Sequence, residues 1–195
     1  MCNVIMALTL YDTPHGISLR LLTSEDTQAY LDLIQITRIP YQSVEPIRED
    51  EFYTLEAQTR RIQDRMKASE EGTGYQFGIY TIQDSTLIGQ VSLNNVVHGV
   101  ANYADMGYFI HPDYQGGGRM TAAVKLAVAY AFRALKLNRV QAAILPSNQG
   151  SQRVLEKNGF QAEGIARKYL KINGQYQDHQ IYAVLVDDLH EQLSD

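Results

Sequence analysis

The sequence predicts an α/β (α+β) fold: a mixed, mostly antiparallel central sheet of about seven strands with helices on both faces. Three observations lead there. Tyr75–Ile82, Leu87–Leu93 and Asp105–Ile110 are strand-like and follow one another closely, the first two across an Asp84-Ser85 turn, which is the order of an antiparallel meander. Directly after them, Thr121–Leu135 has helical length with only Lys125 and Arg133 clearly polar, so it must be largely buried against the sheet. Finally, the whole order (strand, two helices, three strands, then helix, strand, helix and two strands) interleaves the two kinds of element.

Taken in turn, Ile17–Leu22 reads as the first strand. Ser24 with acidic Glu25 and Asp26 starts a helix that runs through Leu31, Ile34 and Ile36 to Pro40. Residues 49–70 read as a second, mostly polar helix. After the meander and the buried helix, Arg139–Leu145 is a strand and Ser147–Lys157 a short helix stopped by Asn158-Gly159 as a left-handed cap. From Phe160 two closing strands form a hairpin about the Asn173-Gly174 turn.

With 195 residues, 45% of them hydrophobic, and neither linker nor repeat, the chain reads as one domain over 1–195. Its single cysteine, Cys2, forms no internal disulfide and fits a reducing compartment. No basic residue precedes the apolar start, and no apolar stretch reaches membrane-spanning length, so the expectation is a cytoplasmic protein without a membrane partner. A net charge of −5 argues against a nucleic-acid surface while leaving room for a local basic pocket.

Between Ile110 and the buried helix lies His111-Pro-Asp-Tyr-Gln115-Gly116-Gly117-Gly118-Arg119-Met120. Glycines there permit positive φ and close backbone approach. Inward-turned amides and the positive end of the following helix form a concave site for phosphate oxygens, to which Arg119 adds a charged donor. The other reading is a tight strand-to-helix connection, but three glycines opening an apolar helix favour phosphate binding. A nucleotide loop would need Gly-Lys-Ser/Thr, whereas Gly118 is followed by Arg119-Met120-Thr121. A dinucleotide fold would need a third spaced glycine and an acid about twenty residues on, and neither is present.

The segment Gln115-Gly-Gly-Gly118-Arg-Met120 resembles the cofactor loop of the GCN5-related N-acetyltransferase superfamily, Gln/Arg-x-x-Gly-x-Gly/Ala, with Met120 departing at the last position. Met120-Thr121, and Asn148-Gln-Gly-Ser151 ahead of Gly159-Phe160, are similar to the subgroup of ribosomal-protein N-terminal acetyltransferases. The similarity covers roughly Ile17–Val186. It implies acetyl-CoA as co-substrate, with the pyrophosphate on the Gln115–Thr121 amides and the pantetheine arm alongside Tyr108, Phe109 and Ile110. It also implies a primary amine as acceptor, the N-terminus of a protein such as a ribosomal protein, and by analogy a homodimer. A small-molecule amine acceptor and a non-catalytic CoA-binding module remain the alternatives.

Thioester aminolysis needs a base, a carbonyl-oxygen donor and an acid for the leaving thiolate. Gly107 marks either a bulge whose amide reaches the thioester carbonyl, as the resemblance implies, or a packing glycine. Ser151 shares a helix face with Val154 and Leu155 and is the proton donor the resemblance implies; its other reading is a serine bonded to a carbonyl one turn back. Asp105 matches an acidic position of related enzymes and is the candidate base, working through water; it could instead bind the ammonium or face solvent. Asn148 either contacts pantetheine or caps its own helix. The resemblance implies the acceptor wall in Arg38–Phe52, where Tyr41, Glu45 and Glu49 would suit a cationic amine. Asp178 and His179 point to opposite faces of a strand and cannot act together. His15, His98 and His190 show no metal spacing with one another or with Cys2, so no metal is expected.

Overall fold

In the computed structural model, which describes residues 9–190, the alternating segments pair into one eight-stranded sheet. In chain order the elements are β1 (Thr9–Asp12), β2 (Ile17–Leu21), α1 (Thr27–Thr37), α2 (Leu55–Glu70), β3 (Tyr75–Thr81), β4 (Leu87–Val97), β5 (Tyr103–Ile110), α3 (Arg119–Arg133), β6 (Arg139–Ile144), α4 (Gln149–Glu156), β7 (Gln161–Ile172), β8 (Gln175–Leu185) and α5 (Val186–His190). The strands lie in the order β1-β2-β3-β4-β5-β6-β8-β7. Every neighbouring pair is antiparallel except β5 with β6. A parallel pair needs a crossover, and α3 supplies it.

The strand absent from the sequence reading is β1, a four-residue edge strand paired with β2. It is too short to show an alternating pattern and is only half-buried. Cys2 lies outside the described residues. The helix expected over 49–70 divides: Asp50–Tyr53 is a 3-10 turn, Thr54 is extended (φ −101°, ψ 151°), and α2 starts at Leu55 with the Thr54 hydroxyl accepting from the Ala57 amide at 3.3 Å. A threonine side chain that can satisfy one of the orphan amides makes this the favoured start. As expected, α4 ends in a left-handed cap, with Gly159 at φ 78°. The Phe160 amide bonds Leu155 O and the Gly159 amide bonds Glu156 O, both at 3.1 Å, closing a Schellman motif.

Helices cover both faces. Against one packs α3, whose Ala123, Val124, Ala127 and Ala131 are fully buried on Phe77, Ile79, Val91 and Met106. Its alanines let it approach the sheet closely, which explains why a nearly all-apolar sequence is needed there. On the other face, Leu31, Leu33 and Ile34 of α1 and Ile62 of α2 enclose Tyr80 and Leu87, with Phe109 at the margin. Among the described residues no helix is long and apolar enough to cross a membrane.

Candidate active site

The site is organised by β5. It keeps register with β4 from Asn94↔Asp105 to Gly89↔Ile110, but it pairs with β6 only at Tyr103↔Arg139, Ala104↔Val140 and Asp105↔Gln141. Beyond Asp105 the two parallel strands part. The His111 amide donates to Ile88 O at 2.7 Å, so ladder alternation turns the Phe109 and Gly107 amides towards β4 and leaves those of Tyr108 and Ile110 on the parted edge. Ile110 O, on that edge, accepts the Tyr41 hydroxyl at 2.8 Å. The bulge expected at Gly107 is absent. Gly107 sits in register opposite Ser92, and the irregularity of this pair falls between Asn94 and Val97. The amides available at the opening therefore belong to its neighbours.

On the α3 side of β5 is a cavity of about 590 Å³. Tyr108 and Ile110 line it from β5, Gln115, Gly116 and Gly118 from the loop, Arg119, Met120 and Thr121 from the first turn of α3, and Asn148, Ser151 and Val154 from α4 and its N-cap. Gly118 is the N-cap of α3 in the left-handed conformation (φ 75°), and no side chain caps this end. The Ala122 amide makes the first helical bond, to Gly118 O at 3.0 Å. The amides of Arg119, Met120 and Thr121 consequently lack helical acceptors and carry the positive end of the dipole. Among the described residues the lining also holds Arg119, Arg153 and Lys157 and contains no carboxylate. Uncapped amides and three cations fit a polyanion such as the phosphates of CoA.

The helix α4 enters this cavity through two bonds. Asn148 accepts the Ser151 amide at 3.1 Å, so it does cap its own helix, and it lines the cavity as well. Tyr108 donates its hydroxyl to Ser151 O at 3.1 Å, tying α4 to β5. Burial pushes the Tyr108 phenol far above its ordinary value, which keeps it a donor. Among the described residues the Ser151 hydroxyl has no partner, one turn back or elsewhere, while Leu155 on the same face is fully buried.

A second cavity, of about 450 Å³, opens on the opposite face of β5. Gln90, Ser92 and Asn94 of β4 and Phe109 of β5 form its floor, with Tyr30, Arg61 and Arg65 above and Arg38, Tyr41, Glu45, Arg48 and Phe52 from the 38–52 segment as its wall. Glu49, expected in that wall, does not line it. Tyr30 donates to Gln90 Oε1 at 2.8 Å and accepts from Gln76 at 3.1 Å; burial lifts its phenol to about 12. Desolvation raises the Glu45 carboxyl above the ordinary range against the pull of Arg48, although the side chain still reaches solvent. Tyr41 lines both cavities and accepts Gln115 Nε2 at 2.8 Å.

Most of the residues expected to hold the cofactor thus gather around one cavity. Phe109 instead turns to the second one, edge-on to Tyr41 with ring centroids 6.3 Å apart. Gly117 stays on the outside of the loop, exposed. Asp105 lines neither cavity: it is half-buried, and its two oxygens accept from Asn95 and Gln141, both at 2.7 Å. Asp178 and His179 are separated, the first bonding the Lys168 amide and the second buried on Gln177 O. Among the described residues no cluster of three or more His, Cys, Asp or Glu side chains gathers as a metal would require. Sequence reasoning missed the β4 floor and the α2 arginines. Their signal was there: Gln90, Ser92 and Asn94 alternate with buried Val91 and Leu93, and Arg61 and Arg65 stand one helical turn apart.

Residues 17–161 match the family model described as an acetyltransferase (GNAT) domain. A Bacillus subtilis (strain 168) protein named "Probable N-acetyltransferase YjcK" is 45% identical over 172 residues, 88% of this chain and 95% of its own length. The crystal structure of the ribosomal-protein-S5-alanine acetyltransferase from Vibrio fischeri superposes with a TM-score of 0.87 at 29% identity, covering 93% of this chain and 98% of that one. Mycobacterium smegmatis RimJ, solved with CoA-disulfide, gives 0.85 at 25% identity over 93% of this chain and 90% of its own. The chain belongs to the acetyltransferase (GNAT) domain family, and it is an acetyl-CoA-dependent N-acetyltransferase.

Proposed function

We propose that the acceptor is the N-terminal amine of a protein, with ribosomal proteins in the cytoplasm as the leading class, and that the two cavities divide the labour. The observation that carries this reading is the parted edge of β5, where a glycine-lined cationic cavity on one face meets a polar cavity on the other. The Gln115–Thr121 loop with Arg119 holds the phosphates, Asn148 faces the pantetheine arm, and the Tyr108 and Ile110 amides face the thioester. A neutral amine arriving past Phe109 forms the new C–N bond as the C–S bond breaks. Ser151 gives its hydroxyl proton to the departing sulfur and regains one from solvent, while the amine loses its own to water. Asp105 serves as the base only if a water replaces one of its two amide partners, and Asp105→Asn separates that role from a structural one. An N-terminal substrate is supported by the similarity to the ribosomal-protein-S5-alanine enzyme.

The test has two stages. Calorimetric titration of acetyl-CoA should show low-micromolar binding, on the order of 8 kcal/mol, that a Gly117→Asp, Gly118→Asp double variant loses. Thiol release should then be followed with N-terminal peptides against polyamines, amino acids and aminoglycosides. Turnover confined to the small amines would refute the protein-acceptor reading while leaving the donor site intact.

A further inference from the structure

The second cavity carries a charge that an ammonium-seeking pocket would not. Among the described residues its lining includes four guanidinium groups, Arg38, Arg48, Arg61 and Arg65, against one carboxylate, Glu45, in a chain whose net charge is −5. Two of the four are already engaged: Arg38 pairs with Asp50 at 2.7 Å and Arg65 donates to Asn94 Oδ1 at 2.6 Å. Arg48 and Arg61 are different. Their guanidinium carbons stand 5.0 and 4.7 Å from the centre of the Phe52 ring, and among the described residues neither has a carboxylate within 4.0 Å or a hydrogen-bond acceptor. Glu45 and Asp64 are the nearby acids, and burial together with the Arg48 and Arg65 charges lowers the Arg61 pKa in spite of Tyr30 and Asp64. Like charges held together on one aromatic ring are costly unless an anion joins them.

We propose that this cavity selects an acceptor whose N-terminal amine is followed by acidic side chains, with Arg48 and Arg61 taking the carboxylates. The inference rests on the N-terminal reading above and deepens it. Planar guanidinium forks match carboxylates in two-point geometry. A phosphate ester fits less well, because among the described residues the lining has no glycine turn and no uncapped helix start of the kind that gives the cofactor cavity its phosphate character. Exposed Ile39 and Ile47, also in the lining, add apolar patches suited to a peptide chain. The wall is held in place at its far end, where the Asn173 amide of the β7–β8 turn donates to Glu45 O at 3.2 Å.

The experiment compares kcat/KM for peptides with the same N-terminal residue followed by Asp/Glu, by Gln/Ser or by Lys, with phosphoethanolamine as the small anionic amine. The acidic peptides should exceed the neutral ones about tenfold, roughly one charge-assisted hydrogen bond, and the Lys peptides should be poorest. In Arg48→Gln or Arg61→Gln the acidic-to-neutral ratio should fall towards one, Arg48→Lys should keep part of it, and added salt should erode it. Equal use of acidic and neutral peptides by the wild type, or a ratio untouched by the glutamine variants, overturns the inference while the N-terminal reading stands. Phosphoethanolamine turned over with all peptides inert overturns both.

Discussion

The three glycines of the cofactor loop look alike in sequence and should differ sharply when each is replaced by alanine. Gly116 and Gly118 hold φ of 80° and 75°, where a Cβ costs about 1–2 kcal/mol; Gly117 is not in that region. Added Cβ atoms would meet nothing at Gly116, the Arg119 Nη1 at 2.8 Å from Gly117, and the His15 ring at 2.9 Å from Gly118. Arg119 Nη1 is the far end of a long side chain and gives way at little cost. His15 is tethered, its Nδ1 lying 2.7 Å from Asp12 Oδ1 across the β1–β2 turn, so Gly118→Ala must move that turn as well. Urea unfolding should show losses of about 1 kcal/mol for Gly116→Ala, about 2 for Gly118→Ala and under about 0.5 for Gly117→Ala. Calorimetry should show acetyl-CoA affinity falling most for Gly118→Ala, because Gly118 caps the helix whose amides form the phosphate site. Equal costs at all three positions, or a Gly117→Ala penalty larger than that at Gly118, would refute the assignment of distinct backbone roles.

Removing the Ser151 hydroxyl in Ser151→Ala should lower kcat about a hundredfold or more while acetyl-CoA affinity stays within about twofold, measured by thiol release and calorimetry. Tyr108→Phe deletes the bond to Ser151 O and should cost about 1 kcal/mol in urea unfolding. Burial alone would raise the Asp26 carboxyl, but bonds from Arg20 at 2.7 and 2.8 Å and from the Thr23 amide outweigh it and hold it low. A depressed carboxylate stabilises the fold above its unfolded value near 3.8 and loses that contribution as pH falls through the folded value. Asp26→Asn should therefore cost about 1–3 kcal/mol at neutral pH, and the gap to wild type should close on acidification. Tyr30 behaves with the opposite sign: its phenol, raised from 10.0 to about 12, stabilises the fold below pH 10 and the effect disappears as pH climbs towards 12, so Tyr30→Phe and wild type should converge in alkaline unfolding titrations.

The donor side of the enzyme was legible because it is local. Gln115–Thr121 is one uninterrupted stretch of chain, and amides plus a helix start within seven residues make a complete phosphate site whatever the rest of the chain does. Element order was legible for a similar reason, since period-2 and helix-period segments each declare themselves within a short window. What failed to show were features set by pairing partners. The parting of β5 from β6 depends on where a parallel register stops, 36 residues apart in sequence at Asp105 and Gln141. The role given to Gly107 went astray on the same point, because which amide faces an opening follows from ladder phase and not from residue type. The edge strand β1 was hidden by its length.

The acceptor side is assembled from α1, the 38–52 segment, α2, β4 and β5, so its character appears only when those elements are brought together. A reading from the 38–52 segment alone sees Glu45 and Glu49 and expects attraction for a cation. Folding removes Glu49 from the wall and brings Arg61 and Arg65 from α2 to join Arg38 and Arg48, which reverses the sign of the pocket. A positive pocket disfavours the ammonium form of an arriving amine, and only the neutral form is nucleophilic. The same arginines that would recognise acidic side chains would thus also lower the amine's pKa at the point of attack. An acceptor bearing its own carboxylates partly cancels that field once bound, so acidic peptides should gain in KM more than in kcat, a split that follows from where the charges sit.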